Sequence, residues 1–230
     1  MIKFEKVKKI FQTKSGKEIV ALKDVSFEIK EKEFVCLVGR SGAGKTTILK
    51  LILAEEKPTE GKIFFNGQEV NKLKPSELPS LRRKIGAVFQ DYKLIFSKTV
   101  YENLSYVMEA AGFPDEEIEN SILNVLEIVN LSEKINHLPS ELSAGERQKL
   151  SIARALIHRP KVILADEPTG NLDPYNTLEV IKLLLKIHEM GTTLILATHD
   201  KNIVNRLKKR VITLEEGQII RDEIRGRFIL

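Results

Sequence analysis

A glycine-rich loop near the start of the chain lies between two segments with different residue patterns. Residues 34–38 form a short apolar run that predicts a buried strand, and residues 47–53 predict a helix. The loop between them fits the pattern G-x-x-x-x-G-K-[ST], and its residues are Gly39, Arg40, Ser41, Gly42, Ala43, Gly44, Lys45 and Thr46. A strand, this loop and a helix, in that order, predict an α/β fold around a phosphate-binding P-loop.

The residue types of this loop suit a nucleoside triphosphate. Glycines allow the backbone to curl so that its N–H groups point at phosphate oxygens, and the helix N-terminus adds a partial positive charge. Lys45 is expected to reach the β- and γ-phosphates and Thr46 to hold Mg²⁺, with Thr47 beside them. We therefore expect a nucleoside triphosphate and Mg²⁺ as cofactors.

The composition predicts a globular protein of the cytosol. The 230 residues are 42% hydrophobic and 30% charged, which fits one large domain or a domain with a subdomain. No stretch approaches the roughly 18 apolar residues of a membrane span, and the first residues do not predict a signal peptide. Cys36 is the single cysteine, so no intrachain disulfide is expected.

The charge is mildly basic, with a net value of +5 and clusters of lysine and arginine at residues 82–84 and 208–210. These clusters fit a solvated surface, and they also fit binding to an anionic membrane or to nucleic acid. The chain has no tryptophan and only 6% aromatic residues, which disfavours a base-stacking platform. We therefore expect no nucleic-acid partner.

The order of predicted elements indicates a mainly parallel sheet covered by helices. Strands are predicted at residues 2–10, 20–29, 62–65, 161–165, 192–197, 211–214 and 218–220, and helices at 100–111, 118–129 and 178–187. Asp115 is predicted to cap the second of these helices. The fold class is thus α/β, a P-loop NTPase core with an N-terminal antiparallel β region. It forms one domain of residues 1–230, with an inserted helical subdomain at about 97–160.

Two acidic residues follow the apolar strand predicted at residues 161–165. Asp166 is placed to support Mg²⁺ at the end of that strand, and Glu167 is placed to polarise an attacking water. An Asp-Glu pair alone is weak evidence. Its combination with the P-loop predicts nucleotide hydrolysis.

Ser143 and Glu146 have the spacing of a capping box ahead of an apolar helix. The structural interpretation is that they only start this helix. A capped helix N-terminus with a serine and a glycine is also an anion site. Because the P-loop already serves this chain's own phosphates, a second anion site suggests the nucleotide of another subunit.

The order of these motifs resembles the ABC transporter ATPase family over nearly the whole chain. The resemblance rests on the P-loop, Gln90 in the segment 88–91, the signature 142–146, the segment 165–168, Asn171-Leu172-Asp173 and Thr198-His199-Asp200. It implies ATP as the nucleotide, a homodimer that forms when ATP binds, and an integral membrane subunit as partner. It places the chain at the cytoplasmic face of the membrane as a peripheral protein.

The resemblance also implies roles for individual residues. Phe11 stands where the family places an aromatic ring against adenine. Gln90 would contact Mg²⁺ and the water and sense the membrane partner, Glu167 would be the general base, and His199 would contact the γ-phosphate. The residues that would face the opposite subunit are Ser143, Gly145 and Glu146 of the signature and Asp173.

Within the family, the segments 41–44, 81–91, 99–104 and 221–226 most resemble the cell-division ATPases. The lipoprotein-release and MacB-type export ATPases are similar but usually carry other residues there. A further interpretation is a soluble ATPase acting on DNA or ribosomes. The chain has neither the heptad insert of the DNA-repair members nor the second ATPase domain usual in the ribosome-acting members. A binding module without hydrolysis is disfavoured by the catalytic residues that are present.

Two further local features are an alanine in the signature and an apolar segment after Gln90. Ala144 stands where the family usually has glycine, which is acceptable only if its φ is negative. The apolar residues Leu94, Ile95 and Phe96 follow Gln90 closely. They belong either to the core or to a groove that receives a helix of the membrane partner, and we expect at least one of them to be exposed.

Overall fold

The structure is a computed structural model that describes residues 1–228, and it contains two compact units. One unit comprises residues 1–82 and the chain from residue 193 onward, and the other comprises residues 83–192. The second unit includes the predicted subdomain range and adds a pair of strands and a further helix. No helix within residues 1–228 is long and apolar enough to cross a membrane.

Residues 1–82 begin with an antiparallel sheet, as predicted. The elements are β1 (Ile2–Gln12), β2 (Glu18–Ile29), β3 (Phe34–Val38), α1 (Lys45–Ile52), β4 (Glu60–Phe65), β5 (Gln68–Glu69) and α2 (Leu78–Arg82). Four of the strands form the sheet in the order β2-β1-β4-β5. Phe4 of β1 and Phe27 of β2 stack with their ring centroids 4.6 Å apart, and both are buried. Their contact helps to fix the register of the two long strands.

Residues 83–192 form the helix-rich unit. The elements are β6 (Ile85–Phe89), α3 (Val100–Ala111), α4 (Asp115–Val129), α5 (Ala144–Leu156), β7 (Val162–Asp166) and α6 (Pro174–Glu189). The prediction that Asp115 caps α4 is wrong, because Pro114 holds the cap position and Asp115 is the first helical residue. Asp115 and the two glutamates after it still suit the positive end of the helix macrodipole.

The chain from residue 193 onward completes the first unit. The elements are β8 (Thr193–Thr198), α7 (Lys201–Leu207), β9 (Arg210–Glu215) and β10 (Gln218–Glu223). β3 lies parallel to both β8 and β9, while β10 returns antiparallel to β9. Every residue of β3 and β8 is buried, which explains their continuous apolar runs. The parallel strands all end at the edge where the P-loop begins.

Candidate functional site

The P-loop connects β3 to α1, and its backbone conformation requires glycine. Gly44 has φ of 106°, in the left-handed region, and a β-carbon there would lie 2.7 Å from Leu22 Cδ2. A β-carbon at Gly39 would lie 2.9 Å from the β-carbon of Ala43. Gly39 and Gly44 are thus required both by backbone conformation and by close packing.

Lys45 folds back over the loop that precedes it. Its ammonium donates hydrogen bonds to the carbonyl oxygen of Gly39 at 2.8 Å and to that of Arg40 at 3.2 Å, and its side chain is buried. The positive charge therefore lies over the centre of the loop. Thr46 is exposed in the first turn of α1 and Thr47 is half-buried, so the Thr46 hydroxyl is accessible.

The N-terminus of α1 has no side-chain cap. Gly44 makes no capping hydrogen bond and the first turn contains no acidic residue. The first N–H groups of a helix lack partners within the helix, and the macrodipole leaves this end partly positive. An anion is the complementary ligand for such an end.

The ribbon of β1 and β2 packs against this loop. Leu22 of β2 is the side chain that approaches Gly44, and the carbonyl oxygen of Ala21 would lie 2.8 Å from a β-carbon there. Phe11 lies further along the same ribbon, paired with Ile19 of β2, and its ring is half-buried. The sequence did not indicate that Lys9, two residues earlier, lies over this ring.

His199 lies beside the start of the P-loop. In the parallel pairing of β3 with β8, Val38 is opposite Thr198, so the next residues on the two strands are Gly39 and His199. Thr198 Oγ1 accepts a hydrogen bond from the backbone N–H of Asp200, and Asp200 caps α7. His199 is exposed between these two anchored residues.

In the second unit, Gln90 and the acidic pair lie together at the carboxyl ends of two neighbouring strands. β6 and β7 are parallel, with Phe89 opposite Asp166, so Gln90 and Glu167 are the next residues on neighbouring strands. The Gln90 amide donates to Asn171 Oδ1 at 3.3 Å, and Asn171 donates back to the carbonyl oxygen of Gln90 at 3.2 Å. The reciprocal pair fixes Gln90 beside the loop that follows Glu167.

Glu167 has an unusual backbone conformation. Its φ is 46°, in the left-handed region, which is uncommon for a residue with a side chain. The backbone N–H of Gly170 donates to the Glu167 carbonyl oxygen at 3.1 Å, which closes the turn. Strained residues of this kind cluster at functional sites.

The predicted capping box is present at the start of α5. Ser143 Oγ accepts from the backbone N–H of Glu146 at 3.3 Å, and the Glu146 carboxylate accepts from the Ser143 N–H at 2.8 Å. The backbone N–H of Ser143 is the main cause that lowers the pKa of Glu146. Ser143 is exposed, and Ala144 has negative φ as the first residue of the helix. Alanine at this position therefore fits the backbone.

Gly145, Asn176 and Asp173 form a contact that the sequence did not predict. Asp173 caps α6 by accepting from the backbone N–H groups of Tyr175 and Asn176 at 2.9 and 3.0 Å, and it also accepts from the Asn176 amide. The bond from the Asn176 backbone is the main cause that lowers the pKa of Asp173. The Asn176 side chain packs against the bare α-carbon of Gly145, where a β-carbon would lie 2.6 Å from Asn176 Cγ.

The predicted site residues are therefore distributed over both units. Phe11, the P-loop with Thr47, and His199 belong to the first unit. Those of the second unit are Gln90, Ser143, Gly145, Glu146, Asp166, Glu167 and Asp173. Each group is assembled from segments distant in sequence, because parallel strands bring their carboxyl ends to one edge.

The donors available to a metal ion are those that Mg²⁺ prefers. Within residues 1–228 no group of three or more histidine, cysteine or acidic residues forms a metal cage. Thr46 offers an accessible hydroxyl and Asp166 a carboxylate at the end of β7. Hydroxyl and carboxylate oxygens are both donor types that Mg²⁺ accepts, usually one or two of them together with phosphate oxygens.

The comparisons with known proteins find ABC transporters and ATP-binding proteins. A family model described as ABC transporter matches residues 22–170. The Cell division ATP-binding protein FtsE of Bacillus subtilis (strain 168) is 49% identical over 210 residues, which cover 91% of this chain and 92% of that protein. The Methionine import ATP-binding protein MetN 1 of Bacillus cereus (strain ZK / E33L) is 43% identical over 221 residues, covering 96% of this chain and 64% of that protein.

A solved structure has the same fold. The ATP-binding cassette MJ0796, determined as a dimer in a post-hydrolysis state bound to ADP and Pi, matches with a TM-score of 0.88. It is 38% identical, and the match covers 99% of this chain and 100% of that chain. At 38% identity, the two chains are similar in sequence as well as in fold.

Proposed function

The chain belongs to the ABC transporter family of ATPases, and we propose that it is the ATP-hydrolysing subunit of a membrane complex in bacterial cell division. The observation that carries the proposal is the 49% identity to an FtsE protein over 92% of that protein's length. The comparisons do not favour the lipoprotein-release or MacB-type export ATPases. In this role the chain couples an ATP-driven dimer cycle to a partner that regulates cell-wall hydrolysis.

The P-loop is the proposed site for the phosphates of ATP. Backbone N–H groups of the loop and of the first turn of α1 would bind the phosphate oxygens, and Phe11 would stack on adenine. Lys45 already directs its ammonium over the loop, so it would exchange the carbonyl oxygens of Gly39 and Arg40 for phosphate oxygens. This exchange retains charge-assisted hydrogen bonds on the ammonium.

Hydrolysis would use the groups at the strand ends. Thr46, Gln90 and Asp166 would hold Mg²⁺, which supplies charge neutralisation at the phosphates. Glu167 would take a proton from the attacking water, and His199 would contact the γ-phosphate. The anchored positions of Gln90 and His199 support these roles, because preorganised groups need little rearrangement when the reaction begins.

The second copy of the chain would complete the nucleotide site. Ser143, Gly145 and Glu146 at the start of α5 would face the γ-phosphate bound by the other subunit, with Asp173 at the interface. Ser143 is exposed at a helix N-terminus, as such a contact requires. Asn176 joins Gly145 to Asp173, so the two interface segments would move as one.

The partner we propose is an FtsX-like integral membrane subunit, which would hold the chain as a peripheral protein at the cytoplasmic face of the membrane. The surface proposed for docking is the segment 94–96. Leu94 is buried, Ile95 is half-buried, and Phe96 is 54% exposed. An exposed aromatic side chain above a buried apolar residue suits the apolar face of a short helix.

A cavity in the same unit supports this assignment. It has a volume of about 100 Å³ and is lined by the segment 92–93 after Gln90 and by Arg154 and His158 of the helix-rich unit, among other residues. Arg154 Nε is buried and finds no hydrogen-bond partner in the described chain. An acidic side chain on the partner's helix would accept a hydrogen bond from Arg154 Nε.

The docking surface is tested with two substitutions of similarly exposed residues. Phe96→Asp is expected to abolish association with the membrane protein that copurifies with the wild-type chain, while ATP binding stays unchanged. Met190→Asp is the control, because Met190 is 59% exposed at the end of α6. Equal pull-down of the membrane protein by both variants would show that the docking site lies elsewhere. Copurification of a methionine-import permease would contradict the proposed role in cell division.

The nucleotide chemistry is tested by separating binding from turnover. Lys45→Ala is expected to abolish ATP binding in isothermal titration, whereas Glu167→Gln and His199→Ala bind ATP but release phosphate about 10²–10⁴-fold more slowly. Glu189→Gln, an exposed change at the end of α6, serves as the control. Wild-type phosphate release by Glu167→Gln would remove Glu167 from the role of general base.

A further inference from the structure

Lys9 is a buried lysine on a strand whose other lysines are more exposed. Its relative exposure is 9%, and its ammonium donates to Glu56 Oε2 at 2.7 Å and to the carbonyl oxygen of Lys57 at 2.9 Å. Burial of a lysine ammonium is costly unless the charge is paired and hydrogen-bonded, and here both conditions are met. Such a side chain is held in one place.

The same ammonium lies against the ring of Phe11. Lys9 Nζ is 4.6 Å from the ring centroid, within the range of a cation–π contact. An ammonium has three N–H donors, and the two hydrogen bonds use two of them. The third is left for the ring, so one face of Phe11 is covered and its orientation is fixed.

We propose that Lys9 is a positioning residue that holds Phe11 as the stacking platform for the nucleotide base. The inference rests on the proposed function, because it takes the Phe11 ring as the contact for adenine. The ammonium holds one face of the ring, and the opposite face is the one that would stack on the base. Lys9 itself does not touch the nucleotide.

The connection to the P-loop helix supports this role. Glu56 and Lys57 follow α1 by a few residues, and the neighbouring Thr59 is bonded to β1 through the Lys8 carbonyl oxygen and the Ile10 N–H. Lys9 thus ties the strand that carries Phe11 to the segment behind the phosphate-binding helix. The platform for the base and the site for the phosphates are held at a fixed spacing, which lowers the cost of ordering the ring when nucleotide binds.

The test compares a ligand that has a base with one that lacks it. Lys9→Met removes the cation and keeps the apolar stem, and Glu56 is exposed enough to be solvated. We expect the affinity for ATP with Mg²⁺ to fall about 3- to 30-fold, as the loss of a cation–π contact implies. The affinity for inorganic tripolyphosphate should stay unchanged. Lys8→Met is the matched control, because Lys8 pairs with exposed Glu60 and has no ring contact.

Two further measurements separate positioning from a structural role. Lys9→Gln keeps a hydrogen-bond donor without the charge, and it should lower the affinity for ATP but not that for tripolyphosphate. This variant provides the test if Lys9→Met does not fold. In a Phe11→Leu background, Lys9→Met should cause no additional loss. Equal weakening of ATP and tripolyphosphate, unchanged ATP affinity, or additive effects of the two substitutions would each overturn the inference.

The failure of this inference is distinguishable from failure of the proposed function. A wild-type chain that binds neither ATP nor tripolyphosphate would overturn both. A wild-type chain that binds both ligands, with Lys9→Met altering them equally, would overturn only the role of Lys9. Thermal unfolding of each variant reports whether its fold is intact.

Discussion

Gly145 is required by packing even though its backbone is helical. The space that a side chain would occupy is filled by Asn176, which the carboxylate of Asp173 holds in place. Its neighbour Ala144 meets no such restriction, because it starts the helix with negative φ. Of the two positions where the family usually has glycine, this chain thus keeps glycine at the one where its structure demands it.

Gly145→Ala is therefore expected to destabilise the fold by about 1–3 kcal/mol, the usual cost of overpacking. The measurement is the free energy of unfolding in denaturant. Ala144→Gly, the matched change one residue earlier, should cost less. Asn176→Ala combined with Gly145→Ala should cost less than the sum of the two single changes, because it removes the clash. Full additivity would show that the contact with Asn176 is not the cause.

Cys36 is expected to be unreactive while the protein is folded. It is fully buried in β3, and burial raises the pKa of its thiol to about 12. The thiolate is the reactive form, and a raised pKa keeps the thiol protonated at every pH below that value. At pH 8.5 iodoacetamide should label Cys36 only in denaturant, whereas a cysteine at exposed residue 80 (Ser80→Cys) should react in the native state. Native labelling of Cys36 would contradict its burial.

The sequence was most informative about residues whose roles depend on interactions with their close neighbours along the chain. The P-loop glycines and the Ser143–Glu146 capping box follow from local chemistry, so their spacing was enough to predict them. Lys9 and Asn176 were missed because their contacts, with Phe11 on the same bulged strand and with Gly145 on a neighbouring helix, are defined only by packing. An isolated lysine or asparagine gives no signal of such a contact.

At the scale of elements, one side chain holds the second half of the segment between β6 and α3. Asn103 is fully buried, and its amide accepts from the Ile95 N–H at 2.9 Å and donates to the carbonyl oxygens of Ile95, Lys98 and Thr99. The segment has no regular structure of its own. Its shape, and hence the exposure of Phe96, depends on this amide.

Asn103→Ala is expected to loosen that segment and to destabilise the protein by about 1–3 kcal/mol, because the backbone groups lose a buried partner. Hydrogen exchange followed by mass spectrometry should show faster exchange of residues 94–99, and association with the membrane partner should weaken. Asn120→Ala, on the exposed face of α4, is the control. Unchanged exchange in 94–99 would mean that the loop holds its shape without Asn103.

Helix α5 connects the signature to the two residues before the proposed docking segment through two arginines. Arg147 donates to the Leu142 carbonyl oxygen and lies 5.7 Å from the Tyr92 ring centroid, and Arg154 donates to the Lys93 carbonyl oxygen. Tyr92 and Lys93 both have positive φ, a conformation that costs energy unless its surroundings hold it. A partner that shifts this segment would therefore act directly on α5.

The types and order of the elements were predictable, whereas some of their ends were not. Buried parallel strands such as β3 and β8 appear as continuous apolar runs, and amphipathic helices appear as apolar residues at helical spacing. The start of α4 was misplaced because Asp115 has the residue type of a cap, but Pro114 already has the extended backbone of the cap position. Caps depend on dihedral angles, which residue type alone does not determine.

At the scale of the whole molecule, the proposed nucleotide chemistry draws on both compact units. Phe11, the P-loop and His199 come from the first unit, and the acidic pair and the signature come from the second. The second group all lies within residues 83–192. A single chain offers one P-loop and one signature, so under the proposed function a complete site requires two chains.

ATP is therefore expected to drive dimerisation, and loss of the general base should trap the dimer. Glu167→Gln should bind ATP without hydrolysing it, so light scattering with ATP and Mg²⁺ should show twice the monomer mass of 26.1 kDa. ADP should leave the variant monomeric, because the γ-phosphate is the group shared between subunits. Adding Ser143→Arg to Glu167→Gln should abolish the dimer by placing a bulky side chain at the interface, whereas Ser132→Arg, also on an exposed serine, should not. A Glu167→Gln chain that stays monomeric with ATP at every concentration, although it binds the nucleotide, would refute the shared site.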